Sequence, residues 1–195
     1  MLPPVYASQL RLEEGATLFY KGAKISSGIG GYETWDASIK ILTINQTTLA
    51  FQSISTGTNS SIGSKVTVRY QDGIPTYADY LTALIYLPSK CIAQSLHGNL
   101  EWATQVNTLT QMTTVTNKTS ETLDFTVEVG TFQSINITLT LTGLDYGVLT
   151  FIYDVNSGIL VHEQWIPSYG DIIILRLMTT AYAPEIQQTI INLIL

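Results

Sequence analysis

Side chains able to do chemistry are few in this chain. It holds two histidines, His97 and His162, and one cysteine, Cys91. A zinc site made from them would need a carboxylate as well, and a convergence in space that their spacing does not encode. His162 stands in LVHEQW, an alternating segment that reads as a strand with its imidazole exposed or at a rim. His97 stands in SLHGN, a turn. Cys91, in YLPSKCIAQSL, has apolar neighbours and reads as a small buried hydrophobe. Being alone, it excludes an intrachain disulfide. No G-x-S-x-G elbow presents a serine nucleophile. Glu13-Glu14 read as solvated turn residues and not as the carboxylate pair of a glycosidase. SGIGG, ending at Gly31, is followed by no Lys-Ser/Thr and reads as a flexible turn, not a phosphate loop. Trp35, Trp102 and Trp165 could line a sugar-binding face, but packing in a β-protein accounts for them with fewer assumptions. The expectation is a protein without catalytic residues, metal or cofactor.

The one chemistry the spacing does suggest is modification. Four N-x-S/T triplets occur, at Asn45, Asn59, Asn117 and Asn136. Asn45 falls where TINQTTL should turn, Asn59 in a Gly/Ser/Thr loop and Asn117 in TNKTSE, a second expected turn. Asn136 falls on the outward side of a strand. All four could carry N-linked glycan without burying it.

These sites need strands to hold them, and the strand signal is clear. In SINITLTLTG, Ile135, Ile137, Leu139 and Leu141 alternate with Ser134, Asn136, Thr138 and Thr140, the period of a half-buried strand. TLDFTVEVG precedes it; GVLTFIYD, ILVHEQWIP and IIILRLMTT follow, joined by DVNSG and SYGD turns. That is an antiparallel meander of five strands. TLFYKGAKI, SIKILTI, TLAFQSIST and KVTVRYQ predict strands in the first half. The spacing of Tyr77, Tyr80, Leu81, Leu84 and Ile85 predicts a short helix stopped by Pro88, and PEIQQTIINLIL predicts a last one. The fold class expected is mainly β: an antiparallel meander, or a sandwich or half-barrel, with one or two short helices.

The outward side of SINITLTLTG carries hydroxyls and an amide but no charge. The same holds of the whole chain, with 12% charged residues where about 25% is usual. A carboxylate loses its charge in strong acid while Lys and Arg keep theirs, so a surface of neutral hydrogen-bonding groups changes little with pH. This composition suits a protein outside the cell, as on the surface of an acidophilic archaeon. The net charge of -6, without a basic run, disfavours nucleic acid and anionic membranes as partners. No stretch is long enough to span a bilayer. VYA-S, at 5–8, has the small residues that signal peptidase reads, without the apolar stretch that should precede them.

The chain divides into an extended N-terminal arm, 1–15, and one β-rich domain, 16–195. Pro3-Pro4 keep the arm extended, and Tyr6, Leu10 and Leu12 fall on one side of it. Such an arm pairs with its own sheet or adds a strand to a neighbour's edge.

Two resemblances follow. Residues 128–166, with Val129-Gly130-Thr131-Phe132 and Tyr153-Asp154…Ser157-Gly158-Ile159-Leu160-Val161, resemble a pattern in secreted LolA-like lipoprotein-carrier domains. This implies a curved antiparallel sheet whose concave face holds an apolar ligand or peptide. The Thr-rich, multiply sequon-bearing β-chain with an arm is also similar to archaeal thread-type filament subunits. That implies a glycosylated, extracellular, cell-surface homopolymer in which Tyr6, Leu10 and Leu12 form the donated face. The filament subunit is the first expectation and the carrier module the alternative.

Overall fold

Strand alternation builds one large sheet. The computed structural model describes residues 10–26, 31–56, 61–109, 113–143 and 146–181. Tyr6, Asn59 and the helix expected over 184–195 lie outside the described residues. The first half supplies β1 (Thr17–Ile25), β2 (Tyr32–Ile44), β3 (Thr48–Thr56), β4 (Ser61–Gln71) and β5 (Ile74–Ala78). A two-residue strand, β6 (Asn107–Thr108), lies parallel to β5. The second half supplies β7 (Thr113–Val127), β8 (Gly130–Gly143), β9 (Gly147–Asp154), β10 (Leu160–Pro167) and β11 (Ile172–Ala181). Each half is a meander, and β1 joins them by pairing with both β2 and β11. The order is β6-β5-β4-β3-β2-β1-β11-β10-β9-β8-β7, antiparallel except at β6. The two end strands approach each other, since Thr108 of β6 and Thr113 of β7 line one cavity. The sheet is therefore a nearly closed, mainly β half-barrel, as the sequence predicts.

Its concave face is the core. Leu18 and Tyr20 on β1, Ile39 and Ile41 on β2, Val66 and Val68 on β4, and Ile135, Ile137, Leu139 and Leu141 on β8 are all buried. The alternation read in SINITLTLTG is the alternation observed.

The segment between β5 and β6 crosses this face and differs from expectation. The spacing predicts a helix ending at Pro88; instead one begins there. Tyr77 belongs to β5, Leu81–Ala83 form a single 3₁₀ turn, and Tyr86 makes an isolated bridge to Ile159. Pro88 is the N-cap of helix α1 (Ser89–Leu96), and α2 (Glu101–Gln105) follows. Proline lacks an N–H that the first turn does not need, so it starts a helix as readily as it stops one. Leu84, Ile85, Leu87, Ile92, Leu100 and Trp102 of this crossing segment are buried, each contributing about 1.5–3 kcal/mol of apolar burial. Backbone bonds pin it at one end: Leu87 N donates to Gly158 O (2.8 Å) and Leu160 N donates to Ile85 O (2.9 Å).

One further expectation shifts. Asn117 is in strand β7, beside a bulge at Val115/Asn117, and not in a turn. The described part of the arm stays with its own domain: Leu10 is buried in the core and Leu12 packs against it. Gly15 N donates to Ile41 O, and Ile41 N to Ala16 O, each at 2.9 Å.

Candidate binding site on the concave face

Strand register arranges the concave wall in rows. From the rim inward, Trp165 pairs with Leu149 and Leu149 with Leu139; then Glu163 pairs with Phe151 and Phe151 with Ile137; then Leu160 pairs with Tyr153 and Tyr153 with Ile135. At the outer row the crossing segment does not reach the sheet. A cavity of about 140 Å3 remains between Tyr80, Leu81 and Thr82 of that segment and Leu141, Leu149 and Trp165 of the sheet. Thr108 and Thr113, from the two sheet edges, complete its wall. Ligand pockets usually measure about 300–1,000 Å3, so this cavity admits one small apolar group while the crossing segment is docked. Outside it the barrel gap continues as a polar groove of about 590 Å3 among Thr104, Asn107 and Thr114.

Trp165 is held there by a glycine. A side chain at Gly147 would collide with the Trp165 indole and with the backbone of Ile166 and Pro167. The same device sets Trp35, whose indole lies over its cross-strand partner Gly22. Trp102 is different: it is buried in the crossing segment and its Nε1–H donates to Ser95 Oγ at 3.0 Å. Tyr80, on the cavity's wall, is exposed; Leu109, Tyr146, Ile166 and Tyr169 are further exposed large side chains of the sheet's strands and loops. Tyr146 and the 166–169 loop are joined by a bond from Ser168 N to Tyr146 O, 2.9 Å.

The second concave row carries a group the sequence reading missed. Glu163 is buried at 6% exposure, and burial pushes its carboxyl up to about 8. Tyr20 and Tyr153 are near enough for its charge to raise their own phenols, already raised by burial. Tyr153 Oη–H donates to Leu84 O (2.7 Å) and Tyr20 Oη–H to Leu160 O (2.9 Å). The legible signal was the unbroken apolar run Ile159–Val161 ahead of His-Glu, which marks a strand covered on both faces.

His162, beside Glu163, faces the other way and is also buried, where the sequence predicts an exposed or rim position. The β7–β8 hairpin runs on past the end of β9 and lays Phe125 against the imidazole, ring centroids 5.3 Å apart. Burial and then the Arg176 guanidinium push His162 down to about 4. Its Nδ1 has no partner among the described residues. His97 is exposed at the end of α1. Cys91 is buried on α1, and burial pushes its thiol up to about 12, as suits an inert side chain. No cluster of metal-ligating side chains occurs among the described residues.

The sequons are not equivalent. Asn45 is exposed, and its Oδ1 accepts Thr47 N, Thr47 Oγ1 and Thr48 N in a tight turn. Asn117 is exposed on the β7 edge. Asn136 is half-buried, its Nδ2 donating to Glu121 Oε1 at 2.9 Å, while its Oδ1 is buried without a partner.

No protein-family model matches the chain, and no curated protein matches it in sequence. Solved structures do resemble it. One, assigned as a lipoprotein from Parabacteroides distasonis, is 11% identical with a TM-score of 0.52, over 91% of this chain and 100% of that one. A second, an exported protein with a YmcC-like fold from Bacteroides fragilis, is 9% identical with a TM-score of 0.53, over 90% and 99%. At these identities the likeness is one of fold. A LolA superfamily protein from Nitrosomonas europaea also aligns, at 9% identity over 88% of each chain, but its TM-score of 0.23 is too low to carry weight.

Proposed function

We propose that the chain is an export-side, LolA-like binding module that takes an apolar ligand or an apolar peptide side chain into the concave face of its sheet. The observation that carries this reading is the apolar cavity between the crossing segment and the Leu141–Leu149–Trp165 wall, with the exposed Tyr80 on its side. The two fold neighbours, one assigned as a lipoprotein and one as exported, support the location. The chain's low content of charged residues, 12%, agrees with it. The reading involves no catalytic step. Asn45 and Asn117, exposed in the fold, are the positions best placed for glycan if the cell that makes the chain attaches it.

The filament reading has less behind it. It needs Leu10 and Leu12 to enter a neighbour, and Leu10 is already buried in its own core. The fold neighbours give it no support.

The test is fluorescence of N-phenyl-1-naphthylamine titrated with the full chain, with and without Thr82→Trp. Thr82 is exposed at the cavity's lip, so a tryptophan there closes the mouth without touching the core. Saturable enhancement in the parent, lost in the variant, is expected. Absence of saturable binding, or equal binding by the variant, would overturn the reading.

A further inference from the structure

We propose that the end of the sheet where β10 turns into β11 dips into the surface of a zwitterionic phospholipid bilayer, carried in by apolar side chains on both faces of its strands. Such docking does not depend on what the cavity holds.

Ile172-Ile173-Ile174-Leu175 is an unbroken apolar run, the pattern of a strand covered on both faces. Yet none of the four is buried. Their neighbours repeat the pattern. On the concave side Ile173 pairs with Trp165. On the convex side Ile172 pairs with Ile25, and Ile25 with Tyr32. Ile166, next to Trp165 in β10, takes the convex side as well. Ile25 is 39% exposed, and Ile166 and Ile173 are each 40% exposed. Three exposed tyrosines stand at the same strand ends: Tyr32 opens β2, Tyr146 precedes β9, and Tyr169, 93% exposed, lies in the β10–β11 turn.

A partner protein laid against a sheet covers one face. Here both faces are apolar at one end, so the cover that fits is a medium that surrounds the strands. β1, β11, β10 and β9 are interior strands, so their backbone N–H and C=O groups are bonded within the sheet and can enter an apolar layer. A tyrosine has an apolar ring and a polar tip, which suits the boundary between acyl chains and headgroups. The charges at this end nearly cancel: Lys24 Nζ lies 2.9 Å from Asp171 Oδ2, and Glu33 stands across from Lys24. They offer no attraction to an anionic surface, which favours zwitterionic headgroups. The next charges set the depth. Lys21 and Arg176, paired in the register and both exposed, stand four residues in from Ile25 and Ile172, about 13 Å along a strand. A tip of that height reaches the boundary layer and does not span the bilayer.

The experiment mixes the full chain with phosphatidylcholine vesicles and measures the bound fraction by flotation. Saturable binding that survives high salt is expected. Ile25→Asp and Ile173→Asp put a carboxylate on opposite faces of the tip, at exposed positions outside the core; each should weaken binding by about tenfold or more. Tyr169→Trp gives a readout in an otherwise intact chain. Its added emission should shift to the blue on binding, and bromine near the headgroup end of the acyl chains should quench it more than bromine near their methyl ends. Thr82→Trp, which closes the cavity's mouth, should leave vesicle binding unchanged; its loss would mean that lipid is held in the cavity alone and would overturn the proposal. No binding by the parent overturns it, as does full binding by either Asp variant. Binding confined to phosphatidylglycerol vesicles and lost in high salt does so too, since that is surface charge alone. Self-association that Ile25→Asp abolishes, without vesicle binding, would make this end a contact between copies and refute the membrane assignment.

Discussion

Glu163 and His162 are sequence neighbours that titrate in opposite senses. The Glu163 carboxyl is raised from 4.5 to about 8, so its contribution is full below pH 4.5 and is lost as pH rises toward 8. The His162 imidazole is lowered from 6.5 to about 4, so its contribution is full above pH 6.5 and is lost as pH falls toward 4. Between 4.5 and 6.5 the two slopes cancel. Urea unfolding across pH should accordingly show a plateau there and a decline on both sides. Glu163→Gln should remove the alkaline decline and stabilise the chain at pH 8 by roughly 4 kcal/mol, while leaving the acid decline in place. A curve with its maximum at pH 8, or a variant without effect there, would refute the assignment of Glu163. A stability plateau on the acid side of neutral is also what a chain with only 12% charged residues suits.

At the scale of elements, the turn DVNSG does more than reverse the chain. Gly158 has φ of 73° and a side chain added to it would run into Leu87 O, because the crossing segment docks on this turn. Gly158→Ala should cost at least about 2 kcal/mol in urea unfolding, from the left-handed conformation and the contact together. It should also raise thiol labelling of Cys91, buried on α1 of that segment; normal stability with normal labelling would show that the turn does not hold the segment. This docking shows where the sequence was readable and where it was not. The meander from β7 to β11 could be read because each strand alternates and each turn has its Gly or Asn. The crossing segment could not, because Tyr77 to Ile85 satisfies helical spacing while the sheet imposes a strand, a single turn and a bridge on it. Tertiary contact overrode local pattern. Asn117 was misplaced for a related reason: β7 is an edge strand, and a polar edge reads like a loop. The cavity was not legible at all, since Tyr80, Leu149 and Trp165 meet only when the sheet curls.

For the whole molecule, two meanders meet at β1 and β11, leaving β6 and β7 as the edges. Both edges are guarded. β6 is two residues long, and β7 carries Lys118, Glu121, Asp124 and a bulge, features that resist edge-to-edge pairing. With Leu10 in its own core as well, the chain should sediment as one 21.4 kDa species. Assembly into long polymers would restore the strand-donation reading instead. The central claim, that the concave cavity is a binding site, is tested most directly by following the indole N–H resonances of Trp35, Trp102 and Trp165 while a medium-chain alcohol is added. The account predicts a saturable shift at Trp165 and none at Trp35, which lies on its own glycine away from the cavity. Shifts of equal size at both, or none at Trp165, would contradict it.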